Sequence, residues 1–384
     1  MCELGKLRME TKDKSVAIIT FHASHNYGSM LQTYALQNVV KSFGFRCEII
    51  NFRTERQKKF YAPIWKKGTL YERCKRFLLS SFYINEIKKK YDLFENFLKE
   101  EINLSTQEFS TLEELNSAKL SYDFYISGSD QIWNTLILDF DWAYFLPFVN
   151  ERGKKIAYAP SMGPTPELTT PEKENKIIEL LKTYSSVSLR ERRTAEYFKK
   201  LVGVNYPVVL DPTMLLSREE WDRFAGDEPL IAGDYCFCYS PWMNEKVLTK
   251  ASKWTESHHM PVVVSKPFVY LSSIVKWRRI KTYIPVGPKE FLNLCKFAKM
   301  VYCDSFHAVV FSIFFKTPFF ALDGMSDARI SNLLSMTELT DRSVGENDVV
   351  EDTRIDFDLA ISIISSYKTE SSEWLLSALK NSMY

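Results

Sequence analysis

The chain has 384 residues, with 50 Lys or Arg against 48 Asp or Glu, and a formal charge of +2 excludes a polyelectrolyte. Hydrophobic residues at 45% and charged residues at 26% exclude a disordered or fibrous chain, and the length predicts two or three domains. No apolar run approaches the roughly 18 residues that a bilayer span needs, and residues 1–14 lack the apolar segment of a secretory signal. The seven cysteines form no CxxC pair and read as reduced thiols, so a cytoplasmic location is expected.

Residues 16–21 (VAIITF) predict a first strand. After the HASHNYGS loop, apolar residues at helical spacing (Leu31, Ala35, Val39, Phe43) predict a helix over 30–43, with Ser29 as a plausible N-cap. Gly44 ends it and residues 47–52 predict a second strand, completing a βαβ signature. A basic stretch interrupts the pattern. Between Arg53 and Lys90, twelve Lys or Arg against three Glu give a local +9 and leave −7 for the rest of the chain. Phe60, Tyr61, Trp65, Tyr71, Phe77, Leu78, Leu79, Phe82 and Tyr83 are interleaved with those cations. Such a segment could dock on phosphates or anionic lipid, or be a solvated insertion with its aromatics turned inward.

A helix is expected over 91–101. Strands follow at 124–127, 156–160, 187–190 and 208–210, with helices over 171–183 and 191–202. Leu210-Asp-Pro-Thr reads as a domain exit, because Pro212 cannot donate to a continuing sheet. A second set has strands at 235–239, 261–265, 300–303 and 318–322 and helices over 244–257, 288–298, 307–315 and 357–379. The two sets predict an α/β protein of two Rossmann-like domains, 1–213 and 214–384, facing each other across a cleft. Ligands in such sheets gather at the carboxyl ends of the strands.

Four strand ends carry chemically capable residues. In the first, Gly28 would let a backbone approach a ligand at a helix start, although an Asn-Tyr-Gly turn alone would look the same. In GSDQIWN, Asp130 and Gln131 could bind sugar hydroxyls, while Trp133 could stack on a ring or anchor its loop. Arg190 stands where a helix begins, a place that disfavours cations; it invites an anionic ligand or pairs with Glu191 or a neighbouring carboxylate. In CDSFHA, Ser305 occupies an N-cap position and His307 the first turn, where an anion would favour the charged imidazole. No metal site is expected: His22, His25, His258, His259 and His307 have no ligand spacing. Walker, GxGxxG and GxSxG motifs are absent, and Cys236 and Cys238 read as packing residues of one strand face.

The blocks ITFHASHNYGSMLQTYALQ, YDFYISGSDQIWN, IAYAPSMG, VSLRERRTAEYF, VVLDPTMLLSREEW, CDSFHAVVFSIFFKTPFFAL and ARISNLLSMTELTDR, in this order over residues 19–342, resemble the polysaccharide pyruvyltransferase family. The resemblance implies two Rossmann-like domains arranged as in the GT-B glycosyltransferases. It also implies transfer of the enolpyruvyl unit of phosphoenolpyruvate onto two hydroxyls of one sugar, giving a cyclic pyruvate ketal and phosphate. The acceptors implied are capsule, exopolysaccharide or cell-wall precursors, often polyprenyl-linked, with no metal and no nucleotide sugar.

By the same resemblance His307 and Arg190 contact the donor; the chemistry adds Asp130 to them in the catalytic set as the hydroxyl-side base or orienter. Asn26, Tyr27, Gly28, Gln131 and Trp133 fall on the acceptor side. Where the family pattern carries an arginine two residues before the histidine, Ser305 stands, and Ala308 replaces the following glycine. Ser305 can bond a phosphate but brings no charge, so Arg329, Lys266, Arg342 or Arg278 is expected to supply one. Glu191 and Asp304 are the candidate proton donors to the enol carbon. Peripheral contact with an anionic membrane is expected through the basic stretch, and nucleic-acid binding is not. A metal-independent glycosyltransferase of the same architecture and a non-catalytic carbohydrate-binding assembly protein are the competing readings.

Overall fold

The computed structural model describes residues 13–63, 83–151, 154–266, 280–348 and 354–381. In the first half, β1 (Ser15–Ile19) leads into α1 (Tyr27–Ser42), and β2 (Arg46–Phe52) returns parallel to β1. Then come α2 (Ile84–Glu101), β3 (Leu104–Phe109), β4 (Phe124–Ser127), β5 (Lys155–Ala157), α3 (Pro171–Leu181), β6 (Ser186–Val187) and α4 (Arg192–Val202). The second half runs α5 (Arg218–Ala225), β7 (Cys236–Tyr239), α6 (Glu245–His258), β8 (Val262–Val264), β9 (Ile280–Thr282), α7 (Pro288–Phe297) and β10 (Met300–Cys303). It ends with α8 (Phe306–Phe315), β11 (Phe319–Leu322), α9 (Ala328–Met336), β12 (Ser343–Val344) and the tail helix α10 (Phe357–Asn381).

The strands form two six-stranded sheets, ordered β3-β2-β1-β4-β5-β6 and β12-β11-β10-β7-β8-β9. All strand pairs are parallel. Each order is that of a Rossmann sheet, with its switch point between β1 and β4 or between β7 and β10. The central strands are continuous apolar runs because helices cover both faces of a parallel sheet, and β4, β7 and β10 are buried at every residue. Cys236 and Cys238 pack into one apolar cluster on a single face of their sheet.

Three edge strands escape the sequence pattern. β3 exposes the middle of LSTQEF, β9 is three partly exposed residues and β12 only two, so none presents an apolar run. The strand expected at 208–210 is corrected to a single bridge between Leu189 and Val208. Pro207 and Pro212 flank that segment and cannot donate to a ladder. Much of the basic stretch, including Trp65, Lys66, Lys67, Tyr71, Phe77, Leu78, Leu79 and Phe82, lies outside the described residues, as does Arg278.

One hydrophobic cluster joins the two halves. Met30, Leu31 and Ala35 of α1 share it with Trp221 of α5, Phe291 of α7 and Phe311 of α8. Tyr27 stacks on Phe291 with ring centroids 4.7 Å apart, and Tyr34 stacks on Phe224 at 4.6 Å. The tail helix crosses back over the seam: Lys316 pairs with Asp358 near its start, while Trp374 packs 6.1 Å from Tyr158 in the first half. Ser371 Oγ accepts the buried N–H of Leu210 at 3.0 Å. Ser371→Ala would strand that amide, so a loss of about 1–3 kcal/mol in the urea unfolding free energy is expected.

Candidate active site

Two helices begin at the same point of the seam. At α1, the Asn26 carboxamide oxygen accepts the N–H groups of Gly28 at 3.0 Å and Ser29 at 3.4 Å. At α8, Ser305 is the N-cap residue and His307 lies in the first turn. The imidazole of His307 enters the first turn of α1, where a Cβ on residue 28 would lie 1.9 Å from Nδ1. The room at Gly28, expected to admit a ligand, is therefore filled by His307 of the other half.

Around His307 the first sheet supplies a buried charge cluster. Asp130 follows the end of β4 with φ +75, a left-handed conformation that Asp tolerates better than most residues. Its carbonyl accepts Ser161 N–H at 2.9 Å, which fixes the turn. Ser29 Oγ donates to Asp130 Oδ2 at 2.5 Å, and Arg190 Nη1 donates to Asp130 Oδ1 at 3.3 Å. The same Nη1 donates to Asp211 Oδ2 at 2.9 Å, and His307 Nε2 stands 3.7 Å from that oxygen. Glu191 Oε2 is 3.6 Å from Arg190 Nε. The Phe306 ring covers the guanidinium, 5.3 Å from Cζ.

The electrostatics follow from burial set against pairing. Burial works against the Arg190 charge, and Asp130, Asp211 and Glu191 more than offset it. Burial works to raise Asp211, but His307 and then Arg190 hold it far below the usual carboxylate range. Asp130 is lowered in the same way, against burial, by Arg190 and then His307. Glu191 moves the other way, its carboxyl pushed up by burial. Among the described residues, Arg190 Nε and Nη2, Glu191 Oε2 and His307 Nε2 are buried without a hydrogen-bond partner. Unspent donors beside a buried carboxyl are costly to a folded protein unless a ligand meets them.

A cavity of about 1010 Å³ opens from Arg190 and Asp211. Arg192, Arg193 and Arg329 line it on the polar side, with Phe306, Met336 and Trp374 on the apolar side. Arg193 pairs with Glu167 and Arg329 with Asp327, so both guanidiniums are held by carboxylates at the cavity wall.

The remaining sequence candidates divide. Gln131 accepts from the Asn134 amide at 2.9 Å, beside the cluster in sequence but turned to its own loop. Trp133 is fully buried and stacked on Phe145 at 4.6 Å, so it anchors the loop and offers no ring face to a sugar. Tyr27 is sandwiched between Phe94 and Phe291 with its hydroxyl at Lys90. Asp304 is tied to Ser240 at 3.0 Å and Asn244 at 3.3 Å, while Arg342 pairs with Asp341 under Phe320. Lys266 donates to the carbonyl of Pro241.

Asp211, in the segment whose Pro212 reads as a domain exit, joins the cluster although none of the four polar strand ends includes it. The signal is a lone carboxylate inside the apolar run VVLDPTM, where it is 0% exposed. A second polar group, His25–Glu95–Arg53, braces α2 against the first loop. His25 Nε2 and Arg53 Nη2 both lie 2.8 Å from Glu95 Oε1. Burial raises the Glu95 carboxyl, but bonds from His25 and Arg53 outweigh it and bring it down to about 2.

A sequence profile described as polysaccharide pyruvyl transferase matches residues 26–324. No curated protein matches the chain in sequence. Among solved structures, UDP-GlcNAc 2-epimerase from Neisseria meningitidis bound to UDP-GlcNAc is 9% identical, with 95% of this chain and 99% of that chain covered and a TM-score of 0.51. The S. aureus MnaA–UDP co-structure is 9% identical, covering 91% of this chain and 86% of that chain at a TM-score of 0.50. At such identities the likeness shows the fold alone: two Rossmann-like lobes facing across a cleft, as in GT-B enzymes.

Gly28→Ala forces the His307 ring out of α1, so a stability loss of about 1–3 kcal/mol together with loss of enzymatic turnover is expected, read by thermal melting and product formation. Glu95 keeps its charge in the fold down to about pH 2, whereas the unfolded chain protonates it near pH 4. Its contribution is thus whole above about pH 5 and lost as pH falls towards 2. In Glu95→Gln, melting temperature should fall less steeply over that acid range than in the unaltered protein.

Proposed function

Because the chain belongs to the polysaccharide pyruvyl transferase family, we propose that it moves the enolpyruvyl unit of phosphoenolpyruvate onto two hydroxyls of one sugar, releasing phosphate. The observation that carries this reading is the set of unspent donors on Arg190 and His307, aimed from opposite lobes at one place. Phosphoenolpyruvate carries close to three negative charges. Two helix N-termini and a guanidinium converging there supply the fixed positive field it requires.

In the proposed reaction Arg190 keeps Nη1 on Asp130 and Asp211 and offers Nε and Nη2 as a fork to the donor. Asp211 faces His307 at 3.7 Å from Nε2, too far to hold that N–H, which donates to the phosphate oxygen and passes its proton to the phosphate as it leaves. Asp130, kept ionised, takes the proton of the first sugar hydroxyl as that oxygen bonds to the central carbon of the enol. Glu191, whose carboxyl burial pushes up, gives its proton to the methylene carbon and is left as a carboxylate. Asp304, bonded to Ser240 and Asn244, is held away from that task. The tetrahedral carbon then carries one sugar oxygen and the phosphate. The second hydroxyl, its proton passing to the carboxylate left on Glu191, displaces phosphate and closes the ketal.

Arg329, on the cavity wall, is the proposed substitute for the charge that Ser305 lacks. Residues 1–213 would serve mainly the acceptor and 214–384 the donor, with Asn26 and Gln131 at the acceptor's edge. The acceptor is proposed to be a polyprenyl-linked precursor of capsule, exopolysaccharide or cell wall, met at an anionic membrane face through residues 53–90. Among the described residues no helix is long and apolar enough to cross a membrane. Lys58 of that stretch, in the short helix Glu55–Tyr61, is engaged by Glu55 and Glu108.

Incubation with phosphoenolpyruvate and a panel of lipid-linked and soluble galactosides, glucosides and mannosaminides tests the reading. A product heavier by one pyruvate less water, with equimolar phosphate, is expected. His307→Gln and Arg190→Lys should each lower that turnover by about 10²–10⁴-fold in a protein that still folds, read by circular dichroism. Near-native turnover in both variants would overturn the assignment.

A further inference from the structure

At the seam Lys90 reaches the carbonyl of Ser265, the residue before Lys266, and among the described residues neither lysine is hydrogen-bonded to a carboxylate. Lys90, on α2 of the first lobe, donates from Nζ to the Tyr27 hydroxyl at 2.7 Å and to the carbonyl of Ser265 at 2.8 Å. Lys266, the next residue of the second lobe, donates to the carbonyl of Pro241. Both lysines are half-buried. Among the described residues neither forms an ion pair, although most other partly buried cations near the seam do. The carboxylate that acts on Lys266 is Asp304, and its oxygens are directed to Ser240 and Asn244 or left unpartnered. Burial, and after it the facing Lys266 charge, push the Lys90 ammonium down to about 7. Among the described residues the hydrogen-bond partners of both ammonium groups are neutral oxygens, a costly setting for two half-buried lysines that an anion would relieve.

The position favours a phosphoryl group. Ser265 and Pro241 follow the carboxyl ends of β8 and β7, beside the β7–β10 switch point of the second sheet, where ligands of such sheets bind. Lysine serves phosphate as a mobile point charge with three donors, and two of them match a dianion. Tyr27, whose hydroxyl Lys90 meets, directly precedes Gly28, whose space His307 fills. We propose that Lys90 and Lys266 form a second anion subsite, reaching across the two lobes, that takes a phosphoryl group. That claim stands on the lysines themselves. Only the naming of its source rests on the reaction proposed above, where the group belongs either to the donor or to a diphosphate carrying the acceptor sugar.

Footprinting of the unaltered protein tests the subsite without any turnover. Acetylation of lysines at pH 8, read by peptide mass spectrometry, should slow at least fivefold at Lys90 and Lys266 when inorganic pyrophosphate is present, with surface lysines unaffected. Equal rates with and without pyrophosphate would overturn the proposal. By calorimetry, Lys90→Gln and Lys266→Gln should bind pyrophosphate at least tenfold more weakly, while Lys266→Arg retains it; unchanged affinity in both Gln variants would also overturn it. Phosphoenolpyruvate titrated into the same variants separates the sources: a parallel tenfold loss assigns the donor phosphate, and an unchanged affinity assigns the acceptor diphosphate. Protection by pyrophosphate in a protein that transfers no pyruvate would leave the subsite standing and remove the proposed reaction instead.

Discussion

Two helix N-termini pressed against each other would ordinarily repel. Here α1 and α8 meet so closely that the His307 ring occupies the space of a side chain at residue 28. The contact is sustained by the aspartates of the first sheet. Asp130 takes the Ser29 hydroxyl from the α1 end, Asp211 faces His307 from the α8 end, and Arg190 lies between the two carboxylates. The position of every catalytic candidate depends on this arrangement of positive helix ends, one guanidinium and two buried carboxylates.

A buried ion cluster of this kind is a poor way to stabilise a fold, since desolvation consumes most of what pairing returns. Apolar burial carries that burden instead: the cluster of aromatic and aliphatic residues around α1, α5, α7 and α8 fastens the lobes, and the tail helix ties Leu210 from behind. The chain holds Asp211 where it does because the flanking residues, Leu210 and Thr213, are themselves pinned. Leu210 N–H goes to Ser371, and Thr213 N–H and Oγ1 go to Asp211 Oδ1. The charged groups are thus spared for chemistry. Some of their donors and acceptors remain unspent in the protein.

Much of the fold was legible along the chain because buried parallel strands need continuous apolar runs, and VAII, FYIS, CFCY and MVYC satisfy that need. The edge strands β3, β9 and β12 were not, since a short or half-exposed strand carries little apolar signal. Among site residues, Arg190 and His307 stood out because each sits at a strand-to-helix turn in a conspicuous polar block. Trp133 misled: a tryptophan beside a polar loop suits a sugar, yet its ring is buried between loop and core.

The order of polar blocks, the alternation of strand and helix and the lack of a long apolar run are properties of the chain read in one dimension, and they determined the class of fold and the family resemblance. Only the tertiary structure decided that Gly28 receives His307, that Asp211 joins Asp130 on one guanidinium, and that Lys90 reaches the carbonyl of Ser265 in the other lobe. The physical reason is sequence separation. Local patterns record which face of an element is buried, whereas each of these contacts joins residues from different elements, and the closing of the two sheets on each other alone sets which charges come within reach.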